Sequence, residues 1–367
     1  MKSITRILRQ IATNSVYKTA WYQNRRRKKT IGETGSQQLS PKDAARLTWE
    51  IFEKYCLEAG WLPEDINGKW VLEIGPGELF GVPLLFALYG AVYSAGIDKF
   101  EEFRDTERTR AIIQNLRLVV PETALTFWDE YVDSGGRIKL DIPGLHYIHG
   151  REFEKIALPP RFFDLICSHT VLEHIMDMDA CFAQQAALLN TDGQAVHQVD
   201  FRSHDGDEKY SLEFLEYPEF LWRLMTDKMD GPNRLRMSDY KNTARQFGFK
   251  ITGMSTTSNV PSDIVEMSRP RLNGRFGTRS YQDLAAQGIL FSMCKTDIMK
   301  DIPIDPRYGD NPKGVEVPAH LRNPRVEVTD EDRQYTRVSV FLSILLIGLL
   351  AGVAALWVHL SHVATGQ

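Results

Sequence analysis

Residues 70–81, Trp-Val-Leu-Glu-Ile-Gly-Pro-Gly-Glu-Leu-Phe-Gly, constrain the fold more than any other stretch of this chain. Trp70, Val71, Leu72 and Ile74 form the short apolar run that a buried parallel strand requires. The run carries Glu73 and ends in a turn containing Gly75, Pro76 and Gly77. Such a turn lets backbone approach a ligand closely at the carboxyl edge of a sheet. A second strand-like run, Val92 to Ile97, ends in Asp98, an acid placed to accept both hydroxyls of a ribose.

The turn has Leu79 where a dinucleotide fingerprint would carry its third glycine. It offers few free amides and no lysine, so it suits a pyrophosphate poorly. A cofactor without phosphates fits better, and S-adenosylmethionine is the one expected. The bland alternative is an ordinary strand-to-helix turn.

Further strands are expected at 146–149, 163–167, 195–199, 249–254 and 289–293. Helices are expected at 41–60, about 100–118, 177–189, 262–269 and 280–287. Strands alternating with helices predict an α/β fold, a doubly wound and mostly parallel sheet of seven strands in a domain over 41–297. The helix at 41–60 is expected to cover the pocket or the sheet edge. The irregular segment 121–146 is a candidate lid, and 207–246 reads as a helical, aromatic insertion. Residues 298–337 contain five prolines and many charges, which reads as a tether.

The net charge of −4 conceals a split. Residues 1–30 hold nine Lys or Arg and no acid, leaving 35 basic against 48 acidic side chains elsewhere, a net of −13. An acidic body argues against a nucleic-acid partner. Cys56, Cys167, Cys181 and Cys294 lie far apart, with no CxxC pair, and read as reduced core residues.

Val338 to Leu360 run without a charge; at ~1.5 Å per residue a helix there would span roughly 35 Å, enough to cross a bilayer. Tyr335 and Trp357 fall near its ends. Arg322, Arg325, Arg333 and Arg337 precede it and no Lys or Arg follows, so a single-pass C-terminal transmembrane anchor is expected, with the body on the cytoplasmic side. Gly348 and Gly352 form a small-xxx-small pair that suggests a homodimer. In the basic arm, residues 1–40, Ile4, Ile7, Leu8 and Ile11 recur at helical spacing, and Arg25 to Lys29 are all basic. The arm reads as a second contact with the lipid membrane; a solvated tail and a targeting peptide are the alternatives.

The expected strand at 163–167 runs into Ser168-His169-Thr170-Val171-Leu172-Glu173-His174. This gathers polar groups at the edge where open α/β sheets bind ligands. Val-Leu-Glu-Ile-Gly-Pro-Gly, Asp98, and Phe-Asp-Leu-Ile-Cys-Ser followed by Val-Leu-Glu-His resemble the successive motifs of class I S-adenosylmethionine-dependent methyltransferases. The stretches Ile-Asp-Lys-Phe, His-Tyr-Ile-His-Gly, His-Gln-Val-Asp-Phe-Arg-Ser-His and Asn-Arg-Leu-Arg-Met-Ser-Asp-Tyr resemble a bacterial branch associated with polysaccharide and cell-envelope gene clusters. The resemblance covers about residues 45–295 and implies a Rossmann-like methyltransferase fold.

By position, the resemblance sets Glu73, Gly75, Pro76 and Gly77 around the methionine part of S-adenosylmethionine, and Asp98, with Lys99 beside it, on the ribose. Arg151 stands where many relatives carry an adenine-contacting acid, so Glu152 or Glu154 is the substitute. Ser168 and His169 would lie near the methyl-bearing sulfur. Methyl transfer needs in-line placement of the acceptor and removal of its proton. The candidate catalytic groups are His169, His174, His204 and Asp205, with His204 favoured. His197 and Asp200 are candidate substrate contacts. Each histidine has a plainer reading as a helix-cap or core residue. The set His197, Asp200, His204 and Asp205 has no spacing that fixes a metal geometry, and no metal is expected.

Trp222, Arg223, Asn233, Arg234 and Arg236 suit a sugar or phosphate-linked glycan; the plainer alternative is a helical cap whose arginines pair with Glu213, Glu216 and Glu219. The sequence thus predicts a membrane-tethered methyltransferase, O-methylating a sugar, glycan or lipid-linked intermediate. The rival expectations are a lipid or quinone acceptor and a non-catalytic cofactor-binding scaffold.

Overall fold

The computed structural model describes residues 2–17, 39–78, 80–140, 142–203, 212–226 and 231–296. One sheet contains β1 (Trp70–Ile74), β2 (Tyr93–Asp98), β3 (Leu145–His149), β4 (Phe163–His169), β5 (Leu189–Asp200), β6 (Phe249–Asn259) and β7 (Ala286–Lys295), in the order β3-β2-β1-β4-β5-β7-β6. The first five strands are parallel, and β7 runs antiparallel between β5 and β6. The order reverses between β1 and β4, so a crevice opens at their carboxyl ends, the place where such sheets bind ligands.

The helices are α1 (Lys2–Tyr17), α2 (Pro41–Ala59), α3 (Gly81–Leu88), α4 (Glu107–Val119), α5 (Trp128–Tyr131), α6 (Met178–Leu188), α7 (Glu219–Thr226), α8 (Met237–Gln246), α9 (Ser262–Ser268), α10 (Gly274–Gly277) and α11 (Tyr281–Ala285). Local chemistry sets their ends. Before α2, Ser40 accepts from the amide of Asp43, Pro41 occupies the first turn, and Gly60 closes the helix in the left-handed region at φ 69°. Asp177 caps α6 in the same way, through the amide of Ala180.

Side chains alternate across the sheet and divide the core. On one face α2, α3 and α4 pack Phe52, Tyr55, Phe86 and Ile112 over Val71, Leu165, Cys167 and Val196. On the other, α6 and α8 pack Phe182, Tyr240 and Ala244 over Leu72, Ile166, Ala195 and Phe291. The expected insertion therefore divides. Its last helix, α8, covers the sheet ahead of β6, while α7 belongs to a separate apolar cap with Phe214, Trp222, Met225, Val265 and Phe276.

Two expectations are corrected here. Segment 121–146 is not a lid: Ala124, Trp128, Val132 and Ile138 are built into the core. The amide of Ser94, at the start of β2, bonds the carbonyl of Gly144, so the segment sits at the amino edge of the sheet, away from the crevice. The apolar stripe of the basic arm is also occupied within the molecule. Ile7 and Ile11 pack into the α7 cap, and Asn14 Nδ2 donates to the Leu224 carbonyl at 2.9 Å. The polybasic run, the tether and the apolar run 338–360 lie outside the described residues. Among the described residues no helix is long and apolar enough to cross a membrane.

Candidate active site

The turn after β1 depends on backbone that only glycine supplies cheaply. Gly75 and Gly77 have φ of 69° and 67°. A Cβ on Gly75 would lie 2.5 Å from Cγ2 of Val171, so this turn is packed directly against the one that follows β4. Gly96 in β2 likewise passes under Pro76 and Phe80, where a Cβ would fall 2.6 Å from the proline ring. The amide of Gly75 bonds the carbonyl of Ile97 at 2.8 Å, and the amide of Gly77 donates to Asp98 Oδ2 at 3.2 Å.

Both acids at this crevice are buried. Burial, with the nearby Glu102 carboxylate, raises Asp98 to about 7 against the pull of the amides of Gly77, Phe100 and Lys99. Burial raises Glu73 to about 8; the Tyr55 hydroxyl, 3.4 Å away, opposes the rise and Asp98 adds to it. Behind Asp98, the amides of Glu102 and Phe103 donate to the Tyr147 hydroxyl at 3.0 and 3.1 Å, pinning the loop after β2. Lys99 pairs with Glu152 at 3.3 Å across the ends of β2 and β3. Gly75, Pro76, Gly77, Asp98, Lys99 and Glu152 thus stand together at the carboxyl ends of β1, β2 and β3.

Beyond β4 the edge is polar. Thr170 adopts φ 55°, a strained value for a β-branched residue, and its amide bonds the Gln198 carbonyl at 2.8 Å. His169 is half-buried and neutral at neutral pH. Burial lowers it to about 4, the Lys54 ammonium lowers it further and Asp200 opposes them. Arg202 clasps Asp200 through Nε and Nη2 at 2.9 and 2.6 Å. Burial raises Glu173 to about 8, so it is largely protonated at neutral pH. Its carboxyl oxygens have no hydrogen bond of good geometry, although its own amide and that of Asp200 lie near enough to oppose the rise. His174 is half-buried in the short turn Leu172–His174. His204 and Asp205 lie outside the described residues.

Five candidate substrate or cofactor side chains belong instead to the interior: His197, Ser168, Trp222, Arg234 and Arg236. His197 is fully buried, with Nδ1 2.7 Å from Ser168 Oγ and Nε2 2.8 Å from Gln185 Oε1. Gln185 presents an oxygen, so Nε2 carries the proton, Nδ1 accepts, and the Ser168 hydroxyl donates away from the crevice. Burial holds His197 neutral, near 3. Trp222 is buried and donates to the Pro232 carbonyl at 2.9 Å. Arg234 binds the carbonyls of Phe214 and Tyr217 and pairs with Glu219, the cap arrangement that was the plainer alternative. Arg236 is 1% exposed and donates to the carbonyls of Phe201, Asp283, Leu284 and Ala286. None of the three arginine or tryptophan side chains is available to an acceptor.

Lys54, which the sequence did not single out, and Asn233, which it placed with the acceptor, complete the edge. Lys54 Nζ on α2 donates to Gln198 Oε1 at 2.7 Å. Asn233 ties the 231–236 segment to the turn after β4, donating from Nδ2 to the carbonyls of Leu172 and Ile175 at 2.9 Å. For Lys54 a signal existed: it neighbours Tyr55 on a helix already expected at the pocket. Asn233, expected at the acceptor, instead bonds backbone carbonyls.

A glycine turn facing a buried acid at the switch point of a parallel sheet defines a nucleoside-cofactor pocket. S-adenosylmethionine fits it: the Asp98 carboxylate, desolvated and met by amides alone, suits two ribose hydroxyls, and the glycines leave room for ligand beside the backbone. The model of the methyltransferase domain family matches residues 52–253, and the chain belongs to that family. It is a class I S-adenosylmethionine-dependent methyltransferase. A solved S-adenosylmethionine-dependent methyltransferase from Mesorhizobium loti is 20% identical, covering 64% of this chain and 97% of that one, with a TM-score of 0.35. Phosphoethanolamine N-methyltransferase 2 from Haemonchus contortus, solved with S-adenosyl-L-methionine, is 14% identical, covering 69% and 53%, with a TM-score of 0.39. No curated protein matches the chain.

Proposed function

We propose that this methyltransferase O-methylates a sugar or glycan intermediate of cell-envelope polysaccharide assembly, at the cytoplasmic face of a membrane. The observation that carries the reading is the polarity of the edge beyond β4, where Lys54, His169, Thr170, Asp200 and Arg202 converge. A hydroxyl-rich acceptor can add hydrogen bonds to such groups; an apolar ring or acyl chain would take them from water and offer none in return.

S-adenosylmethionine supplies an electrophilic methyl group on a sulfonium. The chain's own residues do the rest. The β1 turn and Asp98 fix the cofactor's position, and the neutral imidazole of His169 accepts the acceptor's hydroxyl proton. Asp200, held by Arg202, orients the acceptor. His204 and Asp205 follow Asp200 closely in sequence and are the second candidate base and its partner. The uncharged run 338–360, with arginines only on its amino side, supports a single-pass anchor, and the polybasic run 25–29 supports a further contact with anionic lipid. That same apolar run favours the second reading, a lipid or quinone acceptor.

The deciding experiment incubates the full-length protein with methyl-labelled S-adenosylmethionine and a membrane and nucleotide-sugar extract. Alkali-stable label in a sugar-containing product supports the proposal. Label confined to sugar-free lipid or quinone supports the second reading and overturns the first.

A further inference from the structure

Lys54 and Tyr55 are adjacent on α2, and they divide the carboxyl edge between them. Tyr55 reaches Glu73 at the end of β1. Lys54 Nζ reaches Gln198 Oε1 on β5, the residue paired in register with His169. The strand order β1-β4-β5, at ~4.8 Å between neighbours, sets Lys54's contact roughly 10 Å from the glycine turn. The ammonium therefore stands over the acceptor side of the crevice.

The side-chain partner of Lys54 is a neutral amide oxygen, and among the described residues no carboxylate forms an ion pair with it. Glu50, one helical turn earlier and exposed, acts on it only through space. Asp200, the acid nearest to His169 on β5, is clasped by Arg202. Half-burial meanwhile disfavours the bare ammonium. A partly desolvated cation beside a neutral imidazole, with one neutral acceptor, is built for an anion that arrives with a ligand.

We propose that Lys54 is the anion-binding residue of the acceptor site, and that the acceptor carries a carboxylate or phosphate close to the hydroxyl that is methylated. The proposal rests on the methyltransferase reading and narrows its substrate class to acidic sugars, a uronate or a sugar phosphate. The same chemistry could come from the methionine carboxylate of the cofactor, and the test separates the two sources.

Full-length wild type, Lys54→Met and Lys54→Arg are saturated with S-adenosylhomocysteine and titrated with inorganic phosphate by calorimetry. Wild type should bind phosphate, Lys54→Met should bind it at least about tenfold more weakly, the scale of one charge-assisted contact, and Lys54→Arg should retain most of the affinity. Affinity for S-adenosylhomocysteine should be unchanged in both variants, which also shows that they fold. Equal phosphate binding by Lys54→Met, or none by wild type, overturns the proposal. So does a Lys54→Met variant that loses S-adenosylhomocysteine affinity but keeps that for 5′-methylthioadenosine, which has no carboxylate. Failure of wild type to bind S-adenosylhomocysteine at all would overturn the methyltransferase reading and this proposal with it; the other adverse results leave that reading standing.

Discussion

The amide of Gly77 donates to Oδ2 of Asp98 across 3.2 Å, so the turn after β1 and the acid that closes β2 hold one another in place. The turn follows β1 and the acid ends the neighbouring β2, and Gly96 lets β2 pass close enough under Pro76 for them to meet. The pocket is thus pre-organised by contacts within the protein, so less ordering remains to be done when a ligand binds.

Gly75 couples this turn to the one after β4. Gly75→Ala would add a Cβ 2.5 Å from Val171 Cγ2 at a φ of 69°, and the sum of left-handed strain and overpacking should lower stability by ~2–4 kcal/mol. Val171→Ala in that background should recover the packing part and leave the conformational part. Urea denaturation of the two single variants and the double variant measures the coupling; strict additivity would refute the contact.

Arg236 holds four carbonyls, from Phe201 just after β5 and from α11 and β7, with one guanidinium. Arg236→Met leaves those acceptors buried and should cost ~3 kcal/mol or more. Arg236→Lys should not rescue the loss, because an ammonium cannot span the same set. A variant with wild-type unfolding midpoint and only a raised KM would return Arg236 to the acceptor site.

Stability should depend on pH through Glu73. Its ordinary value of 4.5 is raised to about 8, so the folded protein keeps a proton that the unfolded chain has released. The stability it contributes is fully present below about pH 4.5 and is lost as pH rises through about 8. His197 works in the opposite sense: drawn from 6.5 to about 3, it costs stability as pH falls below about 6.5. The stability of wild type relative to Glu73→Gln should therefore fall by as much as about 4 kcal/mol from pH 5 to 8, at ~1.4 kcal/mol per tenfold change in proton affinity. A flat difference would show that Glu73 is not desolvated.

The sheet was legible because its signals are local. Apolar runs, the glycine turn and the acids at strand ends each occupy a few consecutive residues, and Ser40-Pro41 with Gly60 bounds α2 in the sequence itself. The arginines were not legible in this way. Arg236 answers carbonyls some 50 positions away, and nothing near it distinguishes a donor to distant backbone from a donor to a sugar. His197 misled for a related reason: its partners Ser168 and Gln185 come together only once β4, β5 and α6 pack. The stripe of Ile7 and Ile11 predicted an amphipathic helix correctly, but periodicity reports an apolar face and not what covers it.

Calorimetric titration of S-adenosylmethionine into the full-length protein and its Asp98→Ala variant tests the central claim most directly. Wild type should bind it, and the variant should bind ~10–100-fold more weakly, the loss expected when hydrogen bonds to a charged acceptor are removed. Wild type that takes up no S-adenosylmethionine, or a variant that binds it equally well, would contradict the account.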